Sequence, residues 1–252
     1  MSSTHLRILG VIPARLASTR LPRKVLGDIA GEPMLAWVYA AAKACPQLDE
    51  VIVATDSSEV QQLCDQRGWR CLLTSPDLPS GTDRLYAVSR VVDADIYVNI
   101  QGDEPLLLPE HITAILALFT ADDIDVTTPK VRCTPEDIVN PNAVKVVTAL
   151  DGRALYFSRS TIPFDRDGQG NATYWKHLGL YAYRRVALER FAALSPSELE
   201  RSERLEQLRL LENGISIYVA ETAHDTIGVD TEADRLRVEA ILLKRGQNKP
   251  AS

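Results

Sequence analysis

The chain has few of the residues that usually announce a function. Its four cysteines, Cys45, Cys64, Cys71 and Cys133, form no CxxC pair and have no histidine nearby, so a zinc site is not expected and they read as reduced packing thiols. Neither GxGxxG nor GxxxxGKS/T occurs, which removes the usual dinucleotide and Walker phosphate loops; a nucleotide, if bound, has to be held another way. No run is long and apolar enough to span a bilayer, and the apolar stretch near the N-terminus is too short for a signal peptide, so the cytoplasm is the expected location. An excess of positive charge is missing as well. Against 28 Lys and Arg stand 34 Asp and Glu, a formal net charge of −6, which argues against nucleic acid or an anionic membrane as the main partner.

What is present is an ordinary globular composition, 45% hydrophobic and 25% charged over 252 residues, enough to bury a core as one domain or as a domain with a sizeable insert. Short apolar, β-branched runs at 8–12, 51–54 and 96–100 read as parallel strands covered on both faces. Helical patterns at 33–45, 57–67 and 81–92 lie between them, giving the rhythm of right-handed βαβ crossovers. The fold class expected is α/β, a Rossmann-like, doubly wound, mostly parallel sheet. The rhythm changes after about residue 126. Runs 143–149 and 153–157 flank a Leu-Asp-Gly turn and read as a hairpin, and 177–183 reads as another strand. The region of about 126–200 is therefore expected to be an antiparallel excursion and a dimer surface. A helix over 197–213 stopped by Gly214, a strand over 215–220 and a helix over 231–245 complete the expectation, with Thr231 and Asp234 spaced as a capping box.

The loop after the first strand carries Arg15, Arg20, Arg23 and Lys24 among the small hydroxylic residues Ser18 and Thr19. Four clustered cations repel unless solvent or an anion screens them, and a polyphosphate suits Arg forks and a mobile Lys. Ligands of such sheets bind beyond the carboxyl ends of the strands. Asp103, in Gln101-Gly102-Asp103-Glu104-Pro105, ends the strand IYVNI and would face the same crevice. Beside a triphosphate it is tolerable with a divalent cation between, Mg²⁺ being the usual choice; otherwise it caps or turns the chain. Asp230, in GVDTEAD, by itself is a favourable charge outside the last helix. Ser80-Gly81-Thr82-Asp83-Arg84 reads as a cap and first turn whose small residues also let a flat pyrimidine approach. Glu206 and Gln207 read as the polar face of a helix, and a lone His177 is more often structural than functional.

Several of these segments resemble one family in the same order along nearly the whole chain. PARLASTRLPRK is similar to the nucleotide-binding signature of the sugar-activating cytidylyltransferases, most closely the 3-deoxy-manno-octulosonate (Kdo) cytidylyltransferases; QGDEP, SGTDR, YFSR, KHLG, LEQLR and GVDT resemble further family segments. Family members usually have Gly and Pro where this chain has Arg23 and Val25, and His-Gln in place of Leu78-Pro79. The resemblance implies a nucleotide-diphospho-sugar transferase type of fold and transfer of CMP from CTP to the anomeric hydroxyl of Kdo, with Mg²⁺ held by Asp103 and Asp230. Arg15, Arg20 and Lys24 would meet the triphosphate, with Ser18, Thr19, Ser80, Gly81, Thr82, Arg84 and Gln101 around the nucleotide. Gln101, Arg159, Arg166, His177, Tyr181, Glu206 and Gln207 would meet the sugar, Arg159 or Arg166 supplying the fork for its carboxylate. It also implies a cytoplasmic homodimer serving lipopolysaccharide synthesis. An 8-amino analogue of Kdo or a sialic-acid-like sugar is the alternative acceptor. A non-catalytic nucleotide-binding regulator has little need for two metal carboxylates.

Overall fold

The structure is a computed structural model that describes residues 6–16, 21–120 and 123–245. The chain divides into two compact units, one taking the chain up to Ile112 and again from Thr226, the other being Thr113–Asp225. The expected excursion of about 126–200 falls inside the second.

The first unit begins with β1 (Ile8–Pro13), a 3₁₀ turn (Lys24–Leu26), a two-rung hairpin of β2 (Asp28–Ile29) and β3 (Glu32–Pro33), and α1 (Met34–Lys43). It continues through β4 (Glu50–Thr55), α2 (Ser58–Arg67), β5 (Cys71–Leu73), α3 (Gly81–Ser89), β6 (Ile96–Asn99) and α4 (Pro109–Leu116). The sheet order is β5-β4-β1-β6, every pairing parallel. The chain winds outward from β1 through β4 to β5, then returns to lay β6 on the other side of β1. The order therefore reverses between β1 and β6, and the crevice beyond their carboxyl ends is where a doubly wound sheet takes its ligand. The loops leaving these two strands carry Lys24 and Asp103.

In the second unit follow β7 (Val126–Arg132), α5 (Pro135–Val139), β8 (Lys145–Thr148), β9 (Ala154–Ser158), β10 (Trp175–His177) and β11 (Tyr181–Arg184). Then come α6 (Arg185–Ala192), α7 (Glu198–Glu203), α8 (Leu208–Glu212) and β12 (Tyr218–Glu221), with α9 (Glu232–Lys244) back in the first unit. Thr127 pairs with Ala182 and Tyr218, and Lys130 with His177 and Glu221. Hence β12 takes one edge of β7 in parallel, while β10 and β11 share the other, antiparallel. The hairpin β8–β9 forms around the Leu-Asp-Gly turn as expected; Gly152, at φ 86°, takes the left-handed backbone that the turn needs.

Three expectations are corrected. Residues 177–183 are two strands, because the chain leaves the ladder after His177 and rejoins it at Tyr181, and the Leu178 and Leu180 carbonyls accept from the Thr128 hydroxyl. The helix over 197–213 is two short ones, broken where Arg204 turns left-handed at φ 56°. There Arg159 Nε donates to the Glu203 carbonyl at 2.7 Å, capturing an acceptor that a continuous helix needs. The strand expected over 215–220 begins only at Tyr218. The last helix starts as expected. The Thr231 hydroxyl accepts from the Asp234 N–H and the Asp234 carboxylate from the Thr231 N–H, a reciprocal capping box.

One apolar cluster positions the functional segments of the first unit. Ile29 of β2, Met34 and Trp37 of α1, Leu106, Val229, and Val238 and Leu242 of α9 are buried together. Each such side chain contributes about 1.5–3 kcal/mol on burial. The cluster draws together the chain just past Lys24, just past Asp103 and just before Asp230.

Candidate active site

Lys24 opens the 3₁₀ turn after the β1 loop, its carbonyl accepting from the Gly27 N–H at 3.0 Å. Asp103 lies in the turn after β6. That turn can pack against the β1 loop because residue 102 is glycine: a Cβ there would stand 2.8 Å from the Pro13 carbonyl oxygen, closer than real contacts allow. Asp230 immediately precedes the Thr231 cap of α9. The Val229 N–H donates to the Asp103 carbonyl at 2.9 Å, so the two acidic segments are tied by their backbones.

The side chains then converge. Lys24 Nζ lies 2.6 Å from Asp103 Oδ2 and 3.0 Å from Asp230 Oδ1. The lysine side chain is only 12% exposed, the carboxylates 32% and 45%. Burial by itself pulls the Lys24 pKa down. The Asp103 charge and the hydrogen bonds to both aspartates outweigh it and hold Lys24 above the ordinary lysine value, so it stays an ammonium. Carboxylates 79 and 206 residues from Lys24 thus share one cation position. The arrangement fits Mg²⁺, which takes one or two protein carboxylates and completes its octahedron with phosphate oxygens and water. Among the described residues no group of three or more His, Cys, Asp and Glu side chains could hold a metal, so this pair would leave most of an octahedron to phosphate oxygens and water.

The other nucleotide candidates take varied positions. Arg15 is exposed in the β1 loop, whereas Ser18, Thr19 and Arg20 lie outside the described residues. Ser80 caps α3, its Oγ accepting from the Asp83 N–H at 3.1 Å and donating to Asp83 Oδ2 at 2.7 Å. Gly81 sits against Pro13 and the Gln101 amide, where a Cβ would meet ordinary contacts of 3.6 and 3.8 Å, so this helix start borders the same crevice. Thr82 is buried and accepts from the Asn99 amide at 3.3 Å. Arg84 points inward: 2% exposed, it pairs with Asp56 at 2.8 Å and donates to the Thr74 hydroxyl. Its reach toward a nucleotide is therefore indirect, through the loops after β4 and β5 that it holds. Asp56 escaped the sequence reading, although its place just after strand β4 was the available signal.

The sugar candidates, Gln101 apart, all lie in the second unit. His177 Nε2 is 3.0 Å from Thr128 Oγ1, and its ring stands 5.0 Å edge-on from Phe157 and 5.3 Å from Tyr181, centroid to centroid. Burial pushes the His177 pKa down to about 3, so the imidazole is neutral at working pH. The Tyr181 hydroxyl is driven well up by burial, then by Tyr183 and the Glu206 charge, which places Glu206 within electrostatic reach of it. That hydroxyl lies by Thr128 without bonding geometry. It and Gln207 Nε2 are buried polar atoms with no hydrogen-bond partner among the described residues. Such orphans are costly unless something satisfies them. Glu206 and Gln207 precede α8 in the break after α7 and so are not the face of a continuous helix. Arg159 spends its guanidinium on three main-chain carbonyls, Glu203 at 2.7 Å, Pro141 at 3.0 Å and Arg204 at 3.4 Å, while Arg166 is exposed in the loop after β9. Thr128 was missed in the sequence; a buried polar pair, Thr127-Thr128, inside a strand was its trace.

Comparison with known proteins bears on all of this. The family profile described as cytidylyltransferase matches residues 9–217. A 3-deoxy-manno-octulosonate cytidylyltransferase of Acidobacterium capsulatum is 63% identical over 242 residues, covering 96% of this chain and 99% of that protein. The enzyme of the same name from Koribacter versatilis is 59% identical, covering 95% and 91%. Among solved structures, that of CMP:2-keto-3-deoxy-manno-octonic acid synthetase complexed with CTP superposes with a TM-score of 0.91 at 42% identity, covering 95% of this chain and 99% of the other. With so much of each chain aligned at such identity, this chain belongs to the cytidylyltransferase family, alongside the 3-deoxy-manno-octulosonate cytidylyltransferases.

Proposed function

We propose that this protein transfers CMP from CTP to the anomeric hydroxyl of Kdo. The hydroxyl oxygen bonds to the α-phosphorus, the α–β phosphoanhydride bond breaks, pyrophosphate leaves and the hydroxyl proton is lost. The observation that carries the site assignment is the convergence of Lys24, Asp103 and Asp230 on one cation position at the switch point of the parallel sheet. Transfer at phosphorus depends mainly on positioning and on stabilising charge. Lys24, with Arg15 and Arg20, meets the triphosphate and the charge growing on pyrophosphate. Asp103 and Asp230 would hold Mg²⁺, which when bound would supply Lewis-acid polarisation of phosphate and a lowered pKa for the attacking hydroxyl. The start of α3, with Ser80, Gly81, Thr82 and Gln101, borders the base, and Arg84 acts through the loops that it fixes.

On the acceptor side we assign the sugar hydroxyls to neutral His177, Tyr181, Glu206 and Gln207, supported by the unpaired Tyr181 and Gln207 atoms. Arg166, rather than the engaged Arg159, meets the carboxylate. The same reading includes a role in lipopolysaccharide synthesis and a homodimer, the latter supported by β9, an outer strand that leaves Leu155 58% exposed. The test is pyrophosphate release from CTP with Kdo, with and without Mg²⁺, and phosphorus NMR of the product. CTP should exceed UTP, and both should exceed ATP and GTP; Kdo should exceed its 8-amino analogue and sialic acid. Comparable rates with a purine triphosphate, or no release with Kdo, would overturn the reading.

A further inference from the structure

We infer that Lys24 is an exchangeable counter-ion: its ammonium and a divalent cation compete for the same two carboxylates, so that metal enters fully only when Lys24 leaves for a polyphosphate. This rests on the assignment of the metal to Asp103 and Asp230 and adds an order to it.

The geometry makes the competition direct. Asp103 Oδ2 and Asp230 Oδ1, 2.6 and 3.0 Å from Lys24 Nζ, face one point between them, and the ammonium occupies it. A divalent cation taking the same two oxygens would have to displace the ammonium or share its place. Two carboxylates balance one divalent ion; with the ammonium still in place the site is overcharged until phosphate brings more negative charge. Exchange is mechanically easy. The Lys24 carbonyl is fixed by the Gly27 N–H at 3.0 Å, whereas the ammonium rides on a flexible four-carbon stem. The aspartates are held by main-chain bonds independent of Lys24, the Asp103 carbonyl by the Val229 N–H at 2.9 Å and the Asp230 N–H by Asp234 Oδ2 at 3.2 Å. The backbones that carry the two carboxylates therefore stay anchored while the cation changes. Until the nucleotide arrives, the internal ammonium guards the site against adventitious metal.

The test is Mn²⁺ binding without nucleotide, followed by the loss of the free-ion electron paramagnetic resonance signal, in the parent, Lys24→Met and Lys24→Gln. Thermal melts with and without Mn²⁺ check the fold of each. Both variants should bind Mn²⁺ on the order of tenfold tighter than the parent, the factor of a partly buried ion pair worth about 1.4 kcal/mol. Both should melt lower than the parent without Mn²⁺ and recover with it. Adding Asp103→Asn to Lys24→Met should abolish the gain. If neither Lys24 variant binds tighter than the parent, the exchange is wrong while the transferase reading stands. If they bind tighter but Asp103→Asn changes nothing, the ion is not on this pair, and the metal assignment falls as well.

Discussion

His177 gives the most quantitative prediction. Burial holds its folded pKa near 3, against about 6.5 for an unperturbed histidine. Because the folded value is depressed, the unfolded chain takes up a proton as pH falls through 6.5 while the folded protein does not. Stability from this group is thus fully present above 6.5 and is lost progressively as pH falls toward 3. The slope is about 1.4 kcal/mol per pH unit, so at pH 5 the loss is about 2 kcal/mol. Replacing the residue by His177→Gln removes the proton site and leaves a neutral polar group near Thr128. Urea unfolding of parent and variant from pH 7.5 to pH 5 isolates the effect. A constant offset reports the altered packing, and the change in their difference reports the proton. That difference should shift by about 2 kcal/mol against the parent over the interval. A difference that stays flat to within about 0.5 kcal/mol would refute a neutral imidazole at this position.

Other substitutions test the supports of the site. Gly102→Ala places a Cβ 2.8 Å from the Pro13 carbonyl; thermal melts should show a loss of about 1–3 kcal/mol and turnover should fall with the displaced Asp103. Arg23, at φ 56°, stands in a left-handed position that glycine adopts without strain, so Arg23→Gly should gain about 1 kcal/mol of backbone strain relief and lose at most about 1 kcal/mol from the exposed pair with Glu59. A net loss in urea unfolding would contradict this. Arg84→Met strands the Asp56 charge and should cost about 3 kcal/mol, with the Michaelis constant for CTP raised more than turnover is lowered. An unchanged unfolding midpoint would deny that pair its role.

Much of this was legible locally. The apolar β-branched runs of β1, β4 and β6, the Leu-Asp-Gly turn, and the Thr231–Asp234 box are short-range signals that the structure repeats. That rhythm implied a doubly wound sheet with its ligand beyond the carboxyl ends of the strands, which is why Lys24 and Asp103 were expected at the crevice; the strand order, with its reversal between β1 and β6, came from the structure. What escaped was long-range. Nothing within 197–213 breaks a helix; Arg159, more than forty residues earlier, takes the Glu203 carbonyl, and Ser158 Oγ donates to Glu203 Oε1 at 2.6 Å. The interruption between β10 and β11 likewise depends on the Thr128 hydroxyl, about 50 residues upstream. Arg159 was offered as a fork for the sugar carboxylate and Arg84 was carried over by resemblance as a nucleotide contact, but their partners, main-chain carbonyls and Asp56, are supplied by the tertiary fold. The Lys24 bridge was hidden for the same reason, since its carboxylates lie 79 and 206 residues away.

The most direct test of the central claim is pyrophosphate release from CTP and Kdo, at fixed Mg²⁺, by the parent, Asp103→Asn, Asp230→Asn and the double variant. Asparagine keeps the size and removes the charge. If both carboxylates hold one metal, each single change should lower turnover on the order of a hundredfold or more, and the double should be little worse than either, because groups working as a unit are not additive. Near-parental turnover in Asp230→Asn, or a double variant whose loss is the product of the two single losses, would contradict a shared metal centre.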